Sequence, residues 1–465
     1  MFSKVRPSRI ATTFVALVVV TFNPLILVPL YAQVAGATLS GAVTDASGAV
    51  IPNCQMSVKN VATGVTRSVA TDGDGFYTVP NLLPGTYDVT VTAPGFKTAV
   101  RSGITLTVGA QQLLNISLQV GQATQTVEVT GAATAVQLAS SSIGAVVSSN
   151  TVVELPLNGR SWADLAQLQA SVNAVQTQFS NQSFTAPKAN RGFGNQLTIS
   201  GTRPQLNNYR LDGISIVDYA EGSPGSVVGI TLGVDAVGEF SVVTSNYSAE
   251  YGRTSGGVIN AITRSGTNQF HGDVYWFLRD EGLDAATFID NAGGSNLPPF
   301  HRNQFGASAG GPIRKDKTFF FANYEGFRQA LGTTFINKVP SADARNGIWH
   351  NADGTTCTIG IASPGCTLTN AAGTVGVDPQ VQPYLPFWPL PNNSDVLNHG
   401  NIGHFVTTTN TSDDENFVTS RVNHKFSDKN SLSGIFFYDK ATRTAPDSLL
   451  TVLDGNKSLR EMFTL

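Results

Sequence analysis

The sequence predicts a mainly β protein: a small β-sandwich, then a mixed segment, then the opening strands of a large transmembrane β-barrel. Three observations predict it. Short alternating runs broken by turn residues fill residues 38–120, and ten-residue alternations of apolar and polar side chains recur after residue 267. The composition is also distinctive, with 46 Gly, 26 Phe and only 13% charged residues, against about 25% in soluble domains. Lys plus Arg total 29 and Asp plus Glu 32, a net charge of -3. With no basic excess to neutralise phosphates, nucleic-acid binding is excluded. Three cysteines with no C-x-x-C pair rule out a disulfide framework and a zinc or thiol-redox motif.

The leader comes first. Lys4, Arg6 and Arg9 precede an apolar run from Ile10 to Leu30, and small residues follow at Ala32, Ala35 and Ala37. That order is a secretory signal peptide over 1–37, with cleavage after Ala32 or Ala37. A retained transmembrane helix is the alternative, since about 20 apolar residues span a bilayer. Pro24 and Pro29 weigh against it by removing backbone donors late in the run. No second apolar stretch of that length occurs, so a mature chain that enters a membrane must do so as a closed barrel.

Residues 38–120 carry turn chemistry at Asp45–Gly48, Thr63–Gly64, Asp72–Gly75, Pro84–Gly85 and Pro94–Gly95. Strands at such spacing make a sandwich. Tyr87, Val89 and Val91 share one strand face and are expected to point inward, while Cys54 reads as a buried, inert thiol in a strand. The stretch TDGDGFYTVPNLLPGTYDVTVTAPGF resembles the carboxypeptidase regulatory-like domain, a transthyretin-like or Ig-like sandwich related to carbohydrate-binding folds. That name brings no peptidase with it. None of the six histidines begins H-x-x-E or H-E-x-x-H, so zinc peptidase chemistry is rejected. Asp72-Gly73-Asp74-Gly75 lacks the downstream Glu of a calcium loop and reads as a tight turn. No catalytic residue, metal site or cofactor is assigned.

A linker follows at 121–131. Within it Val127, Glu128, Val129 and Thr130 resemble the energy-coupling box of TonB-dependent receptors, a segment that pairs with a TonB-type protein by strand addition. Residues 132–266 contain LPLNGRSWADL, ISGTRPQLNNYRLDGISIVD and VDAVGEFSVVTSNYSAEYGRTSGGVINAITRSGTNQFHG. These resemble the α+β plug of Oar-like TonB-dependent outer-membrane receptors. Arg203, Arg210, Asp212, Gly213, Glu250 and Arg253 form the plug motif, and with Glu239 they are charges set beside turn-forming glycines. Inside a barrel such charges are expected to face its polar wall, where ionic contacts are made and remade. The competing reading is ordinary surface pairs worth about 0–1 kcal/mol each.

The segment from 267 to 465 alternates. Phe270, Gly272, Val274, Trp276 and Leu278 share one face, and His271, Asp273, Tyr275, Phe277 and Arg279 the other. Similar runs occur at 303–313, 318–328, 415–426 and 431–440, with a sixth strand starting at Asp454. A soluble sandwich would alternate in the same way, so connection lengths decide between the two. They run 280–302, 314–317, 329–413 and 427–430, long and short in turn, as outer-membrane barrels require. The long third connection holds Cys357 and Cys366, candidates for a disulfide on the oxidising exterior. FHRNQFGASAGGPIRKDKTFFFANYEGFR again resembles the Oar-like barrel. Six strands are few where plugged barrels use about 22, and EMFTL lacks the family's terminal aromatic, so the sequence reads as an incomplete portion of a longer protein.

Rival chemistry is weak. Gly306-Ala307-Ser308-Ala309-Gly310 matches the hydrolase G-x-S-x-G, yet a Gly-Pro and a charged turn follow where the elbow needs a helix. No Gly-Lys dipeptide exists for a phosphate loop. The resemblance therefore implies energy-coupled uptake of an unidentified siderophore, glycan or peptide across the outer membrane. The expected partners are a TonB-type protein, outer-membrane lipid and an extracellular ligand, with the sandwich periplasmic and the long loops outside. A structural or adhesion protein using the same barrel, and a carbohydrate-binding surface module, are the alternatives.

Overall fold

The computed structural model describes residues 36–465 except 123–125, 131–140, 156, 177–194, 218–223, 253, 294–295, 353–354, 358–376, 394–395 and 429. The expected leader lies outside these residues.

The sandwich is made of β1 (Ala37–Asp45), β2 (Gln55–Asn60), β3 (Thr66–Ala70), β4 (Phe76–Leu82), β5 (Gly85–Thr92), β6 (Thr98–Leu106), β7 (Gln111–Leu113) and β8 (Ile116–Leu118). A ninth strand, β9 (Thr126–Thr130), joins it from the linker. One sheet runs β4-β1-β7, with β8 also on β1, and the other runs β3-β2-β5-β6-β9. Period-two alternation fills the space between them: Leu39, Val43, Val58, Val89, Val91 and Leu118 are all 0% exposed, and Tyr87 joins them in the core. Asp72 makes a tight Asx turn, its Oδ1 accepting the Asp74 and Phe76 N–H groups. Cys54 is buried and free, and it sits just before β2 rather than inside a strand. Burial pushes its thiol up, which suppresses the reactive thiolate. Ala37 is 0% exposed, so a leader boundary at residue 37 falls inside the first strand.

Gly41 marks a close approach. A Cβ there would overlap the Leu114 carbonyl oxygen and lie 3.1 Å from the Tyr77 ring, whose hydroxyl donates to the same carbonyl at 2.6 Å. Gly41→Ala is expected to cost about 1–3 kcal/mol, read as a lower urea midpoint of the sandwich transition. A midpoint unchanged in the variant would show that β1 shifts freely.

The middle unit has a five-stranded sheet, ordered β10-β15-β16-β13-β14: β10 (Ile143–Val147), β13 (Asn208–Leu211), β14 (Ile214–Ser215), β15 (Val237–Ser245) and β16 (Val258–Thr263). A separate hairpin pairs β11 (Val172–Gln176) with β12 (Asn195–Ile199), bracketing the Gln/Asn-rich interruption. One helix, α1 (Ser149–Glu154), is capped by the Ser148 side chain. Every residue of β16 is buried, Asn260 and Thr263 among them, so the strand is covered on both faces and does not alternate.

The last part is an antiparallel meander of six long strands. These are β17 (His271–Asp280), β18 (Phe300–Arg314), β19 (Thr318–Pro340), β23 (Ile402–Lys425), β24 (Ser431–Pro446) and β25 (Leu453–Thr464). Between β19 and β23, short β20 (Trp349–His350) pairs β21 (Thr356–Cys357), and β22 (Val396–Leu397) pairs β23. The first four connections, 281–299, 315–317, 341–401 and 426–430, alternate long and short as expected, whereas the fifth, 447–452, is short where a long one would continue the pattern. Two strands are longer than expected, because β19 and β23 stay paired from Thr318↔His424 out to Pro340↔Ile402. The Thr-rich ends lack apolar alternation, and the ladder is extended there by backbone hydrogen bonds with a Thr334–Thr408 hydroxyl contact at 3.2 Å. Ser308 lies in mid-strand on β18 and bonds Asp273, with no nucleophile elbow. Among the described residues no helix is long and apolar enough to cross a membrane.

Alternation gives the six-stranded sheet two different faces. Val274, Trp276 and Leu278 of β17 are 84%, 69% and 56% exposed, and Ala307, Ala309, Tyr324, Val422 and Phe436 are exposed on the same side of their strands. The opposite face carries Gln304, Ser308, Asn323, Glu325, Asp413, Glu415, Thr419, Arg421 and Asp439, all buried. It also carries Phe321, Phe327, Phe417 and Phe437, which pack into one cluster with Trp162, Tyr209 and Phe240 of the middle unit. The inner face is therefore not purely polar. Aromatic contacts supply area while the buried ions fix the seat.

Candidate functional site: the seam between the middle unit and the six-stranded sheet

Among the described residues three polar knots join these two parts. In the first, the turn ending at Arg160 takes a left-handed backbone, φ 51°, and aims the guanidinium at the sheet. Arg160 pairs with Asp235 and, at 3.2 Å, with Glu325, and its guanidinium lies 4.2 Å over the Tyr275 ring. The other Glu325 oxygen accepts the Gly233 N–H at 2.9 Å. Gln304 donates to Glu325 at 2.9 Å and to the Gly159 carbonyl at 3.1 Å. Burial raises the Asp235 carboxyl, and Arg160 opposes that rise.

In the second knot Asp212, with φ 50°, meets Arg421 of β23 at 2.9 Å. Both side chains are 4% exposed. Asp212 also accepts from the Thr263 N–H and hydroxyl, at 3.1 and 2.9 Å, while Arg421 donates to the Thr263 carbonyl at 3.1 Å. In the third, Ser226 donates to Glu415 at 2.7 Å, Ser458 accepts the Val227 N–H at 3.2 Å, and Arg460 bonds both the Pro224 carbonyl and Asp439.

Of the motif residues, Arg210, Gly213 and Glu250 meet within the middle unit. Asp212 reaches the wall. Arg210 instead stays inside the middle unit, donating to the Gly213 and Glu250 carbonyls beside the Tyr251 ring. Gly213 has φ 86° in that turn, and Arg203 and Glu250 are exposed. Arg253 lies outside the described residues. The reason is geometric, since a turn held by its own arginine has one carboxylate left to offer outward. Sequence reasoning missed Arg160, Asp235, Glu325, Arg421, Glu415 and Arg460. One clue was available: Glu325 and Arg421 share the inward parity of their strands with aromatic residues, Phe321 and Phe327 on β19 and Phe417 on β23.

Glu239 faces the sandwich rather than the wall. Its Oε1 accepts the Val108 N–H, and Val108 packs on Ile262 with Leu83 and Val146 around it. The sandwich also touches the segment leading into β17 and the start of β24: Asn268 N–H donates to the Ala62 carbonyl, and Arg67 to Ser431, each at 3.1 Å. Burial pushes the Glu239 carboxyl up to about 7. A folded value above the ordinary 4.5 means that its contribution to stability is complete below about 4.5 and is lost as pH rises through about 7. The Val108 amide should therefore exchange more readily at pH 8 than at pH 5, after correction for intrinsic rates, and Glu239→Gln should abolish that difference. A variant keeping the full pH dependence would place the titrating group elsewhere.

The coupling-box residues Val127, Glu128, Val129 and Thr130 form β9, parallel to β6 in the register Ala99↔Val127 to Ser102↔Thr130. Cys357 is buried and disulfide-bonded, and Cys366 lies outside the described residues. Among the described residues, Asp280, Glu281 and His301 are grouped closely enough to hold a cation. Their own contacts account for the grouping: His301 bonds Asp280 at 2.7 Å, Asp280 caps Gly282, and Glu281 accepts the Phe300 N–H.

Comparison with known proteins fits this architecture. A family model for the outer membrane beta barrel domain matches residues 262–463, and one for the carboxypeptidase regulatory-like domain matches residues 38–119. The chain thus carries an outer membrane β-barrel domain behind an N-terminal carboxypeptidase regulatory-like domain, and it resides in the outer membrane. It is a homologue of the TonB-dependent transporter Oar of Myxococcus xanthus, 31% identical over 315 residues, or 64% of this chain and 27% of that protein. The chain thus spans about a quarter of that relative's length. Two solved structures are also similar. The outer membrane transporter YddB from Escherichia coli has 16% identity and TM-score 0.40, over 68% of this chain and 36% of that one. The siderophore receptor PirA from Acinetobacter baumannii has 18% identity and TM-score 0.33, over 69% and 44%.

Proposed function

We propose that this chain belongs to an energy-coupled importer, in which the middle unit is the plug and the six long strands are the start of a barrel of about 22 strands. The observation that carries the reading is the seam. A small unit is seated on the inner face of a membrane sheet through a few buried ion pairs that can be broken and remade, an arrangement suited to a gate. The homology to a TonB-dependent transporter supports the same reading. The sandwich lies against the short turns at Asp316 and Ser431, as a periplasmic domain would, leaving the long connections outside.

In this mechanism the outer loops capture a ligand too large or too scarce for porins, such as a siderophore, glycan or peptide. A TonB-type protein then pairs with Val127–Thr130, and force loosens the seam to open a path. The chain's own residues bind and gate, and no enzymatic step is assigned to them. In the full-length protein, deleting residues 125–131 should abolish uptake of the native ligand while the protein still reaches the outer membrane. Uptake that survives the deletion, or a deletion that alters only adhesion or cell shape, would favour a structural role instead.

A further inference from the structure

The linker strand carries an inference about how the coupling segment is presented. Four of its five residues, Thr126, Val127, Val129 and Thr130, are β-branched and the fifth is Glu128, a composition that favours extended backbone. The strand is not a free tether. It adds in parallel to β6 along five consecutive pairs, Thr98↔Thr126 to Ser102↔Thr130, and among the described residues it is the outermost strand of the β3-β2-β5-β6-β9 sheet. Edge strands in monomeric proteins are commonly blunted by lysine or proline. This one has neither.

We propose that the sandwich is a splint for the coupling segment: a strand of a periplasmic energy-coupling protein adds to the outer edge of β9 while β9 stays paired to β6, extending the sheet to six strands. The proposal rests on the coupling reading given above and adds to it a role for the sandwich. The physical argument is preorganisation. A tether must lose the backbone freedom of every residue it orders on binding, whereas β9 has already lost it to β6. The splint is itself anchored, through Val108 to Glu239 of the middle unit and through Ala62 and Arg67 to Asn268 and Ser431. Force applied at β9 is therefore delivered to the sandwich and the middle unit together.

The test uses the full chain in detergent and, as probe, the purified periplasmic C-terminal domain of a TonB-type protein from the same cell. The Val100→Cys/Glu128→Cys variant joins a registered pair of β6 and β9, and oxidation locks the strand in place. The oxidised form should bind the probe within about threefold of the reduced form, and the unmodified chain should bind at least about tenfold more tightly than a free peptide of residues 124–132. The unmodified chain under the same reductant controls for the native disulfide. Loss of binding on oxidation that reductant restores, or equal affinity of chain and peptide, overturns the splint and leaves the coupling segment assigned. Binding that persists after deletion of residues 126–130 overturns the coupling reading itself, and the splint with it.

Discussion

Arg421→Ala is expected to loosen the seating of the middle unit by about 3–5 kcal/mol, the usual consequence of removing one partner of a buried ion pair. Arg421 and Asp212 are each 4% exposed, so the stranded Asp212 carboxylate has little water to turn to and keeps only the Thr263 N–H and hydroxyl. The expected readouts are faster hydrogen exchange in β13 and β16 and a lower unfolding midpoint in detergent. Asp212→Asn should cost less, because asparagine tolerates the left-handed backbone at φ 50° and keeps an oxygen to accept from Arg421. In the double variant Asp212→Asn/Arg421→Ala the two costs should be clearly less than additive. Strict additivity would show that the pair contributes nothing as a pair.

Glu325→Ala should have an effect of similar size, again about 3–5 kcal/mol. Glu325 is 0% exposed and receives three donors, Arg160, Gln304 and the Gly233 N–H. Alanine leaves all three short of a partner, with Arg160 held by Asp235 alone. Glu325→Gln retains an acceptor for Gly233 and should cost about 1–3 kcal/mol. In cells making the full-length protein, Glu325→Ala should raise the entry of a bulky antibiotic excluded by porins, and Glu325→Gln should do so less. If the alanine variant unfolds no sooner and leaks no more than its parent, the seam is not what holds the middle unit.

Much of the architecture was legible along the chain. Tyr87, Val89 and Val91 alternate with polar neighbours, and the positions of the six long strands follow from runs such as His271–Arg279 and the lengths of the gaps between them. Water or lipid on one side and packed protein on the other imposes a period of two that survives in one dimension. The strand ends were not legible at Pro340 and Ile402, because beyond the lipid the Thr and Asn residues no longer need to alternate. Nor was the seam. Arg160 lies inside a recognisable motif, yet its partners come from positions 235 and 325, and no local rule joins residues so far apart.

The amino-acid order by itself determined that this is β structure with a sandwich first and membrane-type strands last, because turn chemistry and side-chain alternation are local properties. Tertiary structure alone decided that Asp212 rather than Arg210 reaches the wall, that Glu239 faces the sandwich, and that Thr126–Thr130 lie along β6. Each of these depends on which surfaces meet once the sheets are packed. Burial then makes a charge either a well-matched partner or a serious liability, and that distinction does not exist until the water has been excluded.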